Sequence, residues 1–447
     1  MNSIRVKNFK SVIDSGKFQL RPLTLLAGIN SSGKTSLLQA LLLLKQSINA
    51  GSKILLTNGP YLTSNEPLEL VRGKKRNNTI NISLTLDADS FLNPRVYEQF
   101  INEENHGLAS VELQIDVVAN GTTVLHNLSC LFRYKQTEET ASVLVKRKKT
   151  GLYTISFSSP QMVGLDDDEK IKKMDNCALT FHSFLPIFAE WERNGKPDTR
   201  ALYVMKNLES DLDKFFSSLF YMGPQRVKPV LARGYSQTTF ADVGIDGQYT
   251  RFLYEENKNK EISGYEKGET LQILCNRWIC QKMELARSID VQRDSNKLYR
   301  TIITNNDGLS VDLCQMGFGL SQILPIVVQG FLLHAGDTLI VEDPDVHMHP
   351  RIQALLVDFF IDLMKHGRNI VIETHSDHIV TRLRRRISDG TISKDEVNLS
   401  FVENEQEGSV YRFIDLEEDG SFADSLPKGF LDVQEEDFMA IIDQRNH

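Results

Sequence analysis

A chain of 447 residues is too long for one ordinary hydrophobic core, so two or three structural units are expected. With 41% hydrophobic and 25% charged residues its balance is that of a soluble globular protein, and a net charge of −8 excludes a global attraction to nucleic acid while leaving a local basic face open. Five scattered cysteines (Cys130, Cys177, Cys275, Cys280, Cys314) with no C-x-x-C pair, no signal-peptide core and no bilayer-length apolar run point to a reducing, cytoplasmic setting without a membrane partner.

In chain order, Ile4–Phe9 alternates, turns at Asp14-Ser15-Gly16 and continues through Phe18–Leu20, as a half-buried hairpin does. The apolar run Leu23–Ala27 then meets Gly28-Ile29-Asn30-Ser31-Ser32-Gly33-Lys34-Thr35, followed by the leucine-rich Ser36–Leu44. A strand, a glycine-bounded loop and a helix with G-x-x-x-x-G-K-T at the junction fit a phosphate-binding loop. Backbone N–H groups of such a loop form an anion nest, and the helix start adds partial positive charge. Lys34 would reach the β- and γ-phosphates, and the Thr35 hydroxyl would hold Mg²⁺. The helix should end near Gly51.

Residues 52–78 are polar and turn-rich and read as loop. Alternation at Thr79–Leu86 and Val111–Val118, an Asn120-Gly121 turn, and further strands at 122–125, 128–134, 142–147 and 152–157 predict an antiparallel β unit over 79–158. An acidic run, Asp166–Glu169, and a mixed segment with Trp191 precede a helix over Thr199–Leu219. Its stripe of Leu202, Met205, Leu208, Leu212, Phe215, Phe216 and Leu219 faces a core, with Glu209, Asp211 and Asp213 on the wet side. After the turn at Tyr221–Arg226 and the glycine-rich Val243–Gly247, residues 268–289 read as helix and 298–304 as strand.

Three later segments carry chemistry. Thr338–Val341 is an apolar strand ending in Glu342-Asp343, a Walker B pattern, and strand C-termini are where open α/β sheets bind ligands. Glu342 would coordinate Mg²⁺, and Asp343 would orient or deprotonate an attacking water. His347 and His349, two apart beside acids, read either as a metal site or as packing in the loop, and packing is the better supported because no third clustered ligand is evident. Ile370–Glu373 is a second buried strand, ending in Thr374-His375-Ser376, where His375 could sense a γ-phosphate or simply face solvent. In Met316–Pro325, Gly319 and Ser321 open a helix whose first N–H groups could meet a phosphate.

These four segments, with Lys7-Asn8-Phe9-Lys10, resemble the ABC-type ATPases of the SMC, RecF and overcoming-lysogenisation-defect group. Tyr221–Arg226, Val243–Gly247 and Leu426–Asp432 resemble a narrower subgroup, many of whose members are encoded in prokaryotic antiphage loci beside an effector gene. The resemblance covers about 1–50, 221–250 and 310–435. It implies an α/β fold, an ABC-type ATPase head (P-loop NTPase) with an inserted antiparallel β unit and helical lid. The corresponding boundaries are 1–51 and 221–400 for the head, 52–165 for the β insertion, 166–220 for the helical insertion and 401–447 for a small C-terminal unit. It implies ATP and Mg²⁺ as cofactors and a homodimer or higher oligomer closed head to head on ATP. Asn30, Ser31, Ser32, Gly33, Lys34, Thr35 and Ser36 would bind nucleotide, joined in trans by Gly319 and Ser321. Glu342, Asp343, His375 and Lys34 would be catalytic, with Thr35 and Glu342 at the metal.

The group commonly carries a second glutamate where this chain has Asp343. One methylene less of reach implies slow hydrolysis, suited to a switch that stays closed on ATP. The expected function is thus a slow ATPase acting as a dimerising switch or sensor that holds or activates a separately encoded effector in antiphage defence. The acidic tail from Phe401 carries no nuclease pattern. Two alternatives remain, a DNA-repair or DNA-end-sensing ATPase and a non-hydrolysing nucleotide-dependent scaffold. Nucleic acid stays open as a partner through Lys74-Lys75-Arg76, Lys146-Arg147-Lys148-Lys149 and Arg382 with Arg384-Arg385-Arg386, although such runs are more often solvated faces. Long coiled-coil arms are not expected, since no heptad run is long enough, and a transporter ATPase would place Lys34 and Glu342 much closer in sequence.

Overall fold

The computed structural model describes residues 1–447 apart from 53, 77, 92–93, 99–106, 159–170, 178, 183–184, 188–191, 194–195, 198, 236–238, 295–296 and 424–447. Asp166–Glu169, Trp191 and Leu426–Asp432 therefore lie outside the described residues. The chain divides into two units, one of Met1–Leu20, Ser32–Ser218 and Asn404–Tyr411, the other of Arg21–Ser31, Leu219–Glu403 and Arg412–His447.

The first unit is built on a nine-stranded antiparallel sheet. Its order is Ile171–Cys177, Tyr153–Ser158, Thr140–Arg147, Thr122–Tyr134, Leu108–Asn120, Thr79–Asp87, Ser3–Phe9 and Val12–Asp14, with Phe18–Gln19 also paired to Ser3–Phe9. The period-two pattern decides its faces: Ile80, Ile82, Leu84 and Leu86 are buried while the residues between them are half-exposed. Two strands were expected at 122–125 and 128–134, but Thr122–Tyr134 is continuous. The alternation breaks because the register shifts there: Asp116 pairs with Asn127 and Val117 with Leu125, leaving His126 as an extra residue in a bulge.

Against this background two helices pack, Lys34–Asn49 and Thr199–Ser217, with the Lys45 ammonium donating to the Phe216 carbonyl at 2.6 Å. Leu208, Leu212, Phe215 and Phe216 are buried as the stripe predicts. Asp211 is not on the wet face: it is 3% exposed and accepts a hydrogen bond from the Tyr97 hydroxyl at 2.5 Å. A partner distant in sequence makes an acid acceptable at a core position. Within 166–220 the described helix is confined to Thr199–Ser217, and Ile171–Cys177 is the outer strand of the sheet.

The second unit holds five parallel strands in the order Leu219–Met222, Thr338–Glu342, Asn369–Thr374, Leu23–Gly28, Val397–Glu405. Unbroken apolar runs such as Leu339-Ile340-Val341 and Ile370-Val371-Ile372 suit strands covered on both faces. They share one core with the helices Phe318–Leu332, Pro350–Lys365 and Asp377–Ser388. The expected helix over 268–289 is shorter: Leu271–Asn276 continues as a π-helical turn over Arg277–Lys282, and strand Ser288–Arg293 then begins. Among the described residues no helix is long and apolar enough to cross a membrane.

Candidate functional site

Parallel pairing fixes where the chemistry can be. Because all five strands run the same way, Met222, Glu342, Thr374, Gly28 and Val402 come to one edge, with Val341 opposite Met222, Glu342 opposite Glu373, Thr374 opposite Ala27, and Gly28 opposite Val402. Gly28 leaves this edge with φ 147°, and a Cβ there would meet the Val402 carbonyl oxygen at 2.4 Å, so only glycine lets the loop start at this point. Ser31 continues in the left-handed region at φ 62°.

In the first unit the loop ends on Gly33, φ 101°, which caps the helix Lys34–Asn49. No acid occupies that helix's first turn, so its positive end is left for an anion. Lys34 and Ser32 are buried, and the Ser32 hydroxyl has no hydrogen-bond partner. The turn is anchored from below: the Tyr411 hydroxyl donates to the Gly33 carbonyl at 2.7 Å, Ser409 to the Ser11 hydroxyl at 2.7 Å, and the Ser11 and Ser36 hydroxyls lie 3.1 Å apart.

The acid edge belongs to the second unit. Glu342 is 5% exposed, and its Oε1 has no hydrogen-bond partner. Burial, then the facing Glu373 carboxylate, pushes its pKa up to about 8, with Asp343 adding to this while the Tyr221 hydroxyl and Arg226 oppose it. Asp343 stands at φ 42°, a left-handed conformation that aspartate tolerates better than most residues. Its amide donates to the Glu373 carbonyl at 2.8 Å, its Oδ1 has no hydrogen-bond partner, and His375 Nε2 lies 3.9 Å from that oxygen. Arg226, 5% exposed, donates to the carbonyls of Glu342 and Asp343, each at 2.9 Å. Burial lowers its pKa to about 10, and the acids around it act in the opposite direction. The Thr374 hydroxyl donates to Asp345 at 2.6 Å, and the Ser376 hydroxyl caps the next helix while donating to Gln353 at 2.6 Å.

The AAA ATPase domain model matches residues 1–219 and 235–380, most of the chain. The chain belongs to the AAA ATPase domain family. Its fold is that of an α/β P-loop NTPase, and the domain implies a capacity to bind ATP and Mg²⁺ and to hydrolyse ATP. Among solved structures the chain is similar to an SMC head bound to the C-winged helix domain of ScpA, with 10% identity, a TM-score of 0.47 and coverage of 93% of this chain and 98% of that one. It is also similar to the SMC head domain from Thermotoga maritima, with 11% identity, a TM-score of 0.38 and coverage of 93% and 99%. A third is the Smc head domain with an extended coiled coil, bound to the C-terminal domain of ScpA derived from Pyrococcus furiosus, with 10% identity, a TM-score of 0.41 and coverage of 100% and 99%. Likenesses of this size assign nothing to individual residues or partners. No curated protein matches the chain.

For an AAA ATPase domain the acid edge is chemically apt. Two buried carboxylates facing each other repel, and a divalent cation would favour the ionised pair and satisfy the orphaned oxygens of Glu342 and Asp343. Not every candidate is brought to this edge in a ready state. Ser321 is 5% exposed and donates at 2.6 Å to the Phe318 carbonyl in its own first turn, whereas Gly319 is half-buried. His349 caps the helix Pro350–Lys365 through its Nδ1, and His347 packs edge-on against Phe318 with centroids 5.2 Å apart. Among the described residues no group of three His, Cys, Asp or Glu could hold a metal on its own. Sequence reading missed Glu373, the Tyr221 hydroxyl and the Arg226 clasp. Glu373 could have been found, since it is the acid near the end of the second apolar strand, but the Arg226 contact crosses more than a hundred residues.

Proposed function

We propose that this AAA ATPase is a slow, dimerising ATP switch of the ABC and SMC-like type, and that it holds or activates a separately encoded effector in antiphage defence. The observation that carries the ATPase part of this reading is the acid pair Glu342–Asp343 at the C-terminal edge of five parallel strands, on the edge from which Gly28 starts the phosphate-binding loop. In this reading Asn30 to Gly33 cradle phosphate, Lys34 neutralises it, and Thr35 and Glu342 hold Mg²⁺ oxygen-first. Asp343 orients the attacking water or takes its proton, and His375 stands within reach of Asp343 to sense the γ-phosphate. The trans contact rests on Gly319 and the first-turn N–H groups more than on the Ser321 hydroxyl, which is engaged within its own helix. Slowness follows from Asp343, whose side chain is one methylene shorter than a glutamate's and springs from a left-handed backbone position.

The test is a mass measurement with and without ATP and Mg²⁺, alongside phosphate release, for the wild type and Lys34→Ala. ATP should drive the wild type to a larger assembly with slow phosphate release, and Lys34→Ala should show neither. Assembly without any release would select the non-hydrolysing scaffold. If ATP changes neither assembly nor capture of a co-expressed partner, the switch reading is wrong.

A further inference from the structure

The second unit contains a cavity that the acid edge does not use. It is a half-open recess with about 430 Å³ of empty volume, its open mouth included. Its floor is buried: Arg251 is 7% exposed, Thr301 0% and Leu324 2%. Lys228 and Arg233 stand at its more exposed side.

Its charges are left unbalanced. The Arg251 guanidinium donates to the Tyr299 carbonyl at 3.3 Å and to the Val230 carbonyl at 2.5 Å, and Arg233 donates to the Gln248 carbonyl at 3.3 Å. These are neutral acceptors, and each guanidinium carries five N–H donors. Neither arginine has a carboxylate within ion-pair distance among the described residues, although burial, opposed by Asp312 and reinforced by Arg233, already holds Arg251 below the ordinary arginine value. The carboxylate of Asp312 is engaged elsewhere, with Arg300 at 3.4 Å and the Cys314 amide at 3.2 Å. Two acceptors of residues that line the cavity also lack partners, the buried Thr301 Oγ1 and Asp246 Oδ1. Water could satisfy the two oxygens, but it would not balance two neighbouring guanidiniums.

We infer that this cavity binds a small phosphorylated molecule that also bears hydroxyl groups. Its phosphate faces Arg233 and Arg251, with Lys228 adding charge, because guanidinium forks match phosphate oxygens in pairs. Its hydroxyls donate to Asp246 and Thr301. A bare metal cation is disfavoured by three cationic side chains, and an apolar ligand by the unpartnered oxygens. The walls include Ser321 and Leu324 of the helix Phe318–Leu332 and the segment that follows Arg226, so an occupant touches elements continuous with the acid edge.

The probe is ribose 5-phosphate, titrated by calorimetry into Lys34→Ala protein so that the phosphate-binding loop contributes little. Saturable binding is expected, and Arg233→Gln or Asp246→Asn in the same background should weaken it by about 10- to 100-fold, the range for losing a charged hydrogen bond. Ribose without its phosphate should bind at least about tenfold more weakly. Melting curves of each variant separate lost binding from lost folding, and the exposed Lys228→Gln gives a second, milder reading. Absence of saturable binding in wild type and Lys34→Ala overturns the proposal. So does binding indifferent to both Arg233→Gln and Asp246→Asn, or binding present in the wild type and abolished by Lys34→Ala.

Discussion

At Asp343 backbone conformation and side-chain chemistry are tied together. A φ of 42° is costly for most side chains, roughly 1–2 kcal/mol, and least so for glycine, asparagine and aspartate. Aspartate is therefore an acid that suits this backbone. Asp343→Asn should melt within about 0.5 kcal/mol of the wild type yet lose turnover by about 10²- to 10⁴-fold, the usual contribution of a positioned acid or base. Asp343→Gly should fold at least as well and be equally inactive. Asp343→Glu adds a methylene in the disfavoured conformation, so it should lose about 1 kcal/mol and change its turnover. Equal melting and equal turnover for Asp343→Glu would sink the idea that this carboxylate's reach sets the rate. Phosphate release and thermal melting on the same preparations decide between these outcomes.

At the scale of elements, what could be read from the sequence was whatever is local. The loop Gly28–Thr35 between strand and helix, the apolar run ending at Glu342-Asp343 and the alternation at Thr79–Asp87 each sit within a few residues, so periodicity suffices to place them. What escaped depends on distant partners: Asp211 is buried by Tyr97, His126 is bulged by the register of the neighbouring strand, and Arg226 is drawn in by two carbonyls. The helix Asp377–Ser388 shows the same limit. Its arginines read as a basic face, but Arg382 and Arg386 both hydrogen-bond Asp358 on the helix Pro350–Lys365, and Arg384 donates to the Gly420 carbonyl while lying over the Phe422 ring. Burial would raise the Asp358 pKa, but its bonds from Arg386 and Arg382 outweigh that and hold it below the ordinary 3.8. A depressed folded value means stability that is present above about 3.8 and lost as pH falls further. Asp358→Asn should thus cost about 1–3 kcal/mol at pH 7 by chemical denaturation. The gap to wild type should narrow as pH falls below that value, and a gap independent of pH would rule out the ion pairs as its source.

At the scale of the whole molecule the remaining question is whether duplex DNA is a partner. Each phosphate neutralised contributes about 0.9 to the slope of log affinity against log salt, so a dedicated duplex binder with six or more contacts shows a slope steeper than about −5. This chain has a net charge of −8, so any attraction must come from local clusters. The strongest of them is committed internally, since Arg382, Arg384 and Arg386 are engaged as above and Arg385 is left exposed. In the first unit Lys148 pairs with Asp175 at 2.8 Å and Lys74 approaches Glu69 at 4.0 Å, leaving Lys75, Arg76, Lys146 and Lys149 exposed in two separate segments. Short runs of this kind engage about two or three phosphates at a time. Binding to duplex DNA should accordingly be weak, about 10⁻⁴–10⁻⁶ M at physiological salt, with a slope no steeper than about −3. A fluorescence-anisotropy titration at four salt concentrations, with and without ATP, measures both quantities. A slope of −5 or steeper that appears only with ATP would show that nucleotide assembles a basic surface from more than one copy, and the DNA-binding reading would then replace the effector switch.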